Sequence, residues 1–192
     1  MRFFDPEALT QVRRGKLPHW TQPDVTYFVT LRLADSLPAT KLSALREERD
    51  LWLRNHPVPH SDADRQEYHR RFNGKFEYWL DQGYGECRLA RPDLKSIVET
   101  ALMYFHGERY RLGESIVMPN HVHVLVTPVE SWTLAAILRS WKSYTARQIN
   151  EVSNRSGNIW DRESFDHIVR SPGQLAKFEH YIRNDAQRWK TA

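Results

Sequence analysis

The sharpest chemical feature of this chain is the run Met118-Pro119-Asn120-His121-Val122-His123-Val124-Leu125-Val126. Side chains alternate faces along a strand, so His121 and His123 point the same way, roughly 6–7 Å apart along the chain. Two imidazoles so placed can meet one metal ion. An arbitrary His-x-His pair is more often half-buried or on the surface. Here His123 stands between valines in a stretch that reads as buried, and burying two imidazoles without partners is costly, which favours a functional pair. The second feature is Ser140-Trp141-Lys142-Ser143-Tyr144-Thr145-Ala146-Arg147-Gln148, in which Tyr144 and Gln148 share one helix face. A helical tyrosine is most often packing, and a lone glutamine is ordinarily solvated. Their place directly after the His-x-His strand singles them out, because the hairpin and this helix must pack together.

The elements that position these residues are legible in outline. Tyr27-Phe28-Val29-Thr30-Leu31-Arg32-Leu33 is β-branched and aromatic and reads as a strand. Apolar spacing predicts helices over 40–54, 62–80 and 92–106, the last with Pro92 in its first turn and Gly107 after its end. Strands follow from Tyr110 to Met118 and from His121 to Thr127, and the Pro119-Asn120 connection forces an antiparallel hairpin. A helix is expected from Ser131 to about Asn150, then a short strand around 165–169. A last helix begins at Ser171-Pro172-Gly173-Gln174 with capping-box spacing and buries Leu175, Phe178 and Ile182, with Trp189 towards its end. Strands interleaved with helices around an antiparallel hairpin define an α+β fold.

Composition sets the outer bounds. A chain of 192 residues with 40% hydrophobic content fits one globular domain, spanning 1–192 here, with a helical insertion at about 40–90 and a C-terminal helix at about 172–189. No apolar run approaches the ~18–20 residues needed to span a bilayer, so no membrane partner is expected. Acid in Met1-Arg2-Phe3-Phe4-Asp5 is out of place in a signal peptide, and the single cysteine, Cys87, excludes an intrachain disulfide. A cytoplasmic protein is the expectation. The net charge of +4 is compatible with nucleic acid and carries little weight alone. More pointed is Arg13-Arg14-Gly15-Lys16-Leu17-Pro18-His19-Trp20, which is either a solvated arm or a DNA arm whose cations meet phosphates while Trp20 stacks on a base. Lys142 and Arg147, beside Tyr144, are further candidates for phosphate contact.

Taken together, three ordered motifs resemble single-tyrosine HUH transposases. The His121-Val122-His123 run is similar to their paired-histidine motif, and Ser140 to Ala146 resembles their nucleophile helix. Trp160-Asp161-Arg162 and Phe165-Asp166-His167-Ile168-Val169-Arg170 resemble the segment that follows it. The arrangement is most similar to the REP-associated tyrosine transposases, which act at repetitive extragenic palindromes. The resemblance implies a ferredoxin-like antiparallel sheet with helices packed on it. It implies that His121, His123 and Gln148 hold Mg²⁺ or Mn²⁺, and that Tyr144 attacks a scissile phosphate of single-stranded or hairpin DNA, leaving a 5′-phosphotyrosine. Asp166 and His167 would orient the metal site, touch DNA or serve structure. A monomer associated with the nucleoid is implied over a homodimer. Tyr181 is the serious competitor for the nucleophile, because a C-terminal helix can also reach the metal. One rival function is a domesticated hairpin-binding protein that does not cut. Another is a histidine-triad hydrolase, whose third histidine would fall at Leu125.

Overall fold

Tyr27–Arg32 is buried along its whole length, as a strand covered on both faces must be. In the computed structural model, which describes residues 2–5, 11–14, 18–57 and 61–188, this strand lies inside a four-stranded sheet. We label the elements in chain order: β1 Gln11–Arg14, β2 Pro18–Thr21, β3 Tyr27–Arg32, α1 Ala39–Asn55, α2 Asp62–Tyr68, α3 Gly74–Leu80 and α4 Pro92–Tyr104. They continue with β4 Tyr110–Val117, β5 His121–Pro128, α5 Leu134–Ser153, β6 Phe165–Ile168 and α6 Pro172–Arg188. The contacts divide the chain into two units, Asp35–Cys87 and the remainder on either side of it.

The larger unit carries the sheet in the order β4-β5-β3-β6, with every neighbouring pair antiparallel. β3 and β4 therefore run parallel with β5 between them, and α4 and α5 provide the two crossovers. This is the ferredoxin-like α+β arrangement expected from the sequence. Thr30 lies directly opposite His123, Arg32 opposite His121, and Phe28 opposite Leu125, so these six residues share one face. On the other face Tyr27, Val29, Leu31, Val122, Val124 and Val126 pack with Leu94, Val98 and Leu102 of α4. The stripe Leu134, Ile137, Leu138, Trp141 and Ile149 of α5 joins the same core. The face with the histidines is covered by α6, whose Leu175, Phe178, Tyr181 and Ile182 pack with Phe28, Leu125 and Val169.

The start of α6 follows the capping-box spacing: Ser171 Oγ accepts the Gln174 N–H at 3.2 Å, and Gln174 Oε1 accepts the Arg170 N–H at 2.7 Å. Its seat is the ring of Phe178, stacked on Phe28 with centroids 4.3 Å apart. Phe178→Ala is expected to cost about 3 kcal/mol, the low end for phenylalanine, because the ring is only partly covered. It should strip amide-exchange protection from α6 before that of β5. Full protection of α6 in this variant would show that the ring does not hold the helix.

Two local expectations are changed. The span 62–80 is not one α-helix, because a π-helical turn at His69–Asn73 separates α2 from α3. The basic stretch near the N-terminus forms a two-stranded hairpin, with Gln11 paired to Thr21 and Arg14 to Pro18. Its residues show no apolar alternation, so nothing in the pattern marked them as strands. Lys16 lies outside the described residues, and the side chains of Arg13, Arg14 and Trp20 are not described. The smaller unit contains α1 to α3 around Trp52, which stacks on His56 at 4.0 Å and meets Phe72 edge-on. Its two ends meet: Asp35 Oδ2 accepts the Glu86 N–H at 2.8 Å. Gly85 has φ +89°, and a Cβ there would come within 2.6 Å of the Asp35 carbonyl oxygen, so only glycine fits. Among the described residues, no helix is long and apolar enough to cross a membrane.

Candidate active site

The turn between β4 and β5 is tied down by backbone hydrogen bonds. Met118 N–H donates to the His121 carbonyl at 2.8 Å, Leu33 N–H to the Asn120 carbonyl, and Leu89 N–H to the Pro119 carbonyl. β5 therefore begins from a fixed point, and both of its histidines are fully buried. His121 Nδ1 lies 2.7 Å from Asn120 Oδ1, and His123 Nδ1 lies 2.9 Å from Thr30 Oγ1 across the register. These contacts orient both rings so that their Nε2 atoms converge to 3.0 Å. Phe28 stacks on His123, with centroids 5.3 Å apart. From α6, the Tyr181 ring meets His123 edge-on at 5.2 Å, and its hydroxyl lies 3.5 Å from His123 Nε2.

Burial sets the electrostatics. It lowers the basicity of His121 from its ordinary 6.5 to about 3. It holds His123 well below 6.5, helped by the neighbouring His121. Both rings are neutral at pH 7, the form in which imidazole ligates a metal. The pair also passes a geometric test. Neighbouring positions of an octahedral ion with bonds of about 2.1 Å are separated by about 3.0 Å, and the two Nε2 atoms are 3.0 Å apart. Each ring in addition has a partner on its far nitrogen, the usual support of a ligating histidine. Among the described residues no group of three or more His, Cys, Asp or Glu side chains gathers at one point.

The other expected site residues fall elsewhere. Tyr144 and Gln148 sit on α5, which packs on the opposite face of the sheet from the histidines. Tyr144 is 45% exposed, and Gln148 bonds Glu151 on its own helix at 3.4 Å. The physical reason is strand alternation. The apolar stripe of α5 must cover Val122, Val124 and Val126, and His121 and His123 then face away from it. Lys142 is spent inside the protein, donating to the Asp161 carbonyl at 3.1 Å and the Arg162 carbonyl at 3.4 Å. Burial pushes its ammonium down to about 8, which is unlike a solvent-exposed phosphate contact. Arg147 is exposed. Asp166 lies opposite Val29, on the face away from the histidines. His167 lies opposite Phe28 on the histidine face, with Nε2 2.9 Å from Gln174 Nε2.

Three contributors were not singled out from the sequence. Thr30 and Asn120 hold the imidazoles, and Arg32, directly across from His121, is ion-paired with Asp161. The spacing of Thr30 within β3 carries no chemical signal until the register with β5 is known.

The structure thus places a paired-histidine strand in a ferredoxin-like sheet, with Tyr181 brought to it by the covering helix α6. Residues 89–185 match the family model "Transposase IS200 like". The chain belongs to the IS200-like transposase family. It is 24% identical over 122 residues to an uncharacterized protein of Haemophilus influenzae, a match covering 50% of this chain and 64% of that relative. The match thus spans less than two thirds of the relative's length. The fold is also similar to a solved REP-associated tyrosine transposase bound to a REP hairpin (TM-score 0.39, 16% identity, 91% of this chain and 70% of that one). A candidate transposase from Deinococcus radiodurans R1 gives TM-score 0.39 at 15% identity, covering 96% of this chain and 98% of that one.

Proposed function

We propose that this protein cleaves and rejoins single-stranded DNA at hairpins of palindromic repeats, with Tyr181 as the nucleophile and His121 and His123 holding a divalent ion, Mg²⁺ or Mn²⁺. The observation that carries this reading is the Tyr181 hydroxyl, 3.5 Å from His123 Nε2 where the two imidazoles converge. The ion would polarise the scissile phosphate and offset the charge that develops on it. Tyr181 supplies the oxygen: the Oη–P bond forms, the P–O3′ bond breaks, the phenol loses its proton, and a 5′-phosphotyrosine and a free 3′-hydroxyl remain. The covalent link conserves the phosphodiester for rejoining, so no nucleotide cofactor is required. Phe28 meets the Tyr181 ring edge-on and Thr30 and Asn120 fix the imidazoles, which is the positioning that phosphoryl transfer depends on.

The third ligand expected at Gln148 moves with the nucleophile. The polar residues one turn after Tyr181 are Asn184 and Asp185. Asn184 Nδ2 lies 2.8 Å from His180 Nε2 on the same helix. A monomer in the cytoplasm, associated with the nucleoid, completes the reading, since Tyr181 reaches the histidines of its own chain.

The test is incubation of the full chain with a 3′-labelled hairpin carrying a single-stranded flank, in Mg²⁺, in Mn²⁺ and in chelator. An adduct that survives a denaturing gel, present only with metal, is expected. Tight hairpin binding with no adduct under any condition would leave a binding protein and overturn the cleavage reading. Binding should also weaken with salt, with a log–log slope of about −0.7 per phosphate neutralised on single strands. Replacing both Arg13 and Arg14 by Ala should flatten that slope by about 1.4. An unchanged slope would remove the N-terminal hairpin from the DNA interface.

A further inference from the structure

We propose that Arg162 binds a backbone phosphate of the single strand, on the flank of the position that is cut. The inference rests on the single-stranded DNA reading above and adds a contact outside the histidine–tyrosine centre.

Beyond the end of β3, the chain from Ile159 to Asp161 runs alongside it. Ala34 N–H donates to the Ile159 carbonyl and Asp161 N–H to the Arg32 carbonyl, each at 2.9 Å, and Leu33 lies opposite Trp160. Trp160 turns to the α5 face, where its Nε1–H donates to Thr145 Oγ1 at 2.8 Å. Alternation sends Asp161 the other way, to the histidine face, and there its carboxylate pairs with Arg32. His121, Arg32 and Asp161 therefore form a row across three neighbouring chain segments on one face. Adjacent strands are about 4.8 Å apart, so Asp161 stands about 10 Å from His121 along that row. Arg162 follows directly, at the margin of the face that holds the histidine pair.

The backbone at this margin is fixed. Lys142 of α5 donates to the Asp161 and Arg162 carbonyls at 3.1 and 3.4 Å, and Asp161 Oδ1 accepts the Glu163 N–H at 2.9 Å. The Arg162 side chain is nevertheless exposed. Among the described residues, no hydrogen bond or ion pair engages its guanidinium. A cation on an anchored backbone gives up only side-chain freedom when it binds, and a guanidinium fork matches the oxygens of a phosphate. Charge points the same way. The larger unit holds the chain's excess of basic residues, whereas acids outnumber bases in the smaller one. The separation from His121 puts the contact on a phosphate next to the one cut.

The test is titration of the full chain, in chelator, with a hairpin carrying a single-stranded flank, so that binding is read without cleavage. Arg162→Ala changes an exposed side chain and is expected to weaken binding about threefold. It should also flatten the log–log salt slope by about 0.7, the value for one phosphate on a single strand. Arg162→Lys keeps the charge and should restore the slope. Methylphosphonates placed one at a time along the flank locate the contact: at one position the parent should lose affinity and Arg162→Ala should not. Parental slope and affinity in Arg162→Ala would overturn the inference, as would an Arg162→Ala deficit that persists at every phosphonate position. A masked position at the scissile phosphate itself would overturn the flanking assignment. If the parent binds the hairpin but forms no adduct with metal, cleavage alone is lost and the binding measurements still decide on Arg162. If the parent binds no DNA, both readings fall.

Discussion

Tyr181→Phe is expected to abolish the covalent protein–DNA adduct, with cleavage falling at least about a thousandfold, while Tyr144→Phe cleaves as the parent does. Both substitutions keep the ring and remove only the hydroxyl. The Tyr181 ring packs edge-on to His123 and Phe28, so the phenylalanine retains the packing of α6. Tyr144 stands exposed on α5, with the whole sheet between that helix and the imidazole rings. Hairpin affinity should be close to parental in both variants, which separates loss of chemistry from loss of binding. The opposite result, an adduct lost with Tyr144→Phe and kept with Tyr181→Phe, would move the nucleophile to α5. The site would then have to be completed by a helix from a second chain.

The next largest effect concerns acid. Each buried histidine binds a proton in the unfolded chain below about pH 6.5. In the folded chain His121 does not do so until about pH 3, and His123 is depressed in the same direction. Folded values below unfolded ones mean that the unfolded state binds more protons as pH falls. This contribution to stability is therefore complete above pH 6.5 and is lost on the way down. The loss is up to about 1.4 kcal/mol per pH unit for each histidine. Across the range from pH 6.5 to 5 His121 alone can remove about 1.6 kcal/mol, and His123 adds to the loss in the same direction. Urea unfolding of the metal-free protein across this range should show the slope, and His121→Gln should roughly halve it. Equal slopes in parent and variant would mean that the imidazoles are not held neutral by burial.

Much of the frame was legible because its signals are local. The alternation in β5, Pro92 at the start of α4 and the Ser171–Gln174 cap each act within a few residues, and each element stands where these features put it. The histidine pair was legible for the same reason. Which helix shares its face was not, because that depends on the parity of a strand together with the docking of two separate helices. The deciding clue was nevertheless present. An α5 stripe as apolar as Leu134, Ile137, Leu138, Trp141 and Ile149 has to meet the valines of β5 rather than its histidines. The one-residue offset between the valines and the histidines of β5 thus places Tyr144 away from the imidazoles. The partners of the imidazoles were illegible in a stricter sense. Thr30 and His123 are 93 residues apart, and only the β3–β5 register brings them together.

The closed base of the smaller unit bears on how this chain tolerates change in length. The Asp35–Cys87 unit begins and ends at one point, where Asp35 holds the Glu86 amide and Gly85 lets the two backbone segments touch. A segment anchored in this way imposes no span on the strand before it or the helix after it, and closing a longer loop costs only a slowly growing entropy. The β3-to-α4 connection can therefore be lengthened, shortened or exchanged while β3 keeps its pairing with β5. A change of length there leaves intact the β3–β5 register that sets Thr30 opposite His123.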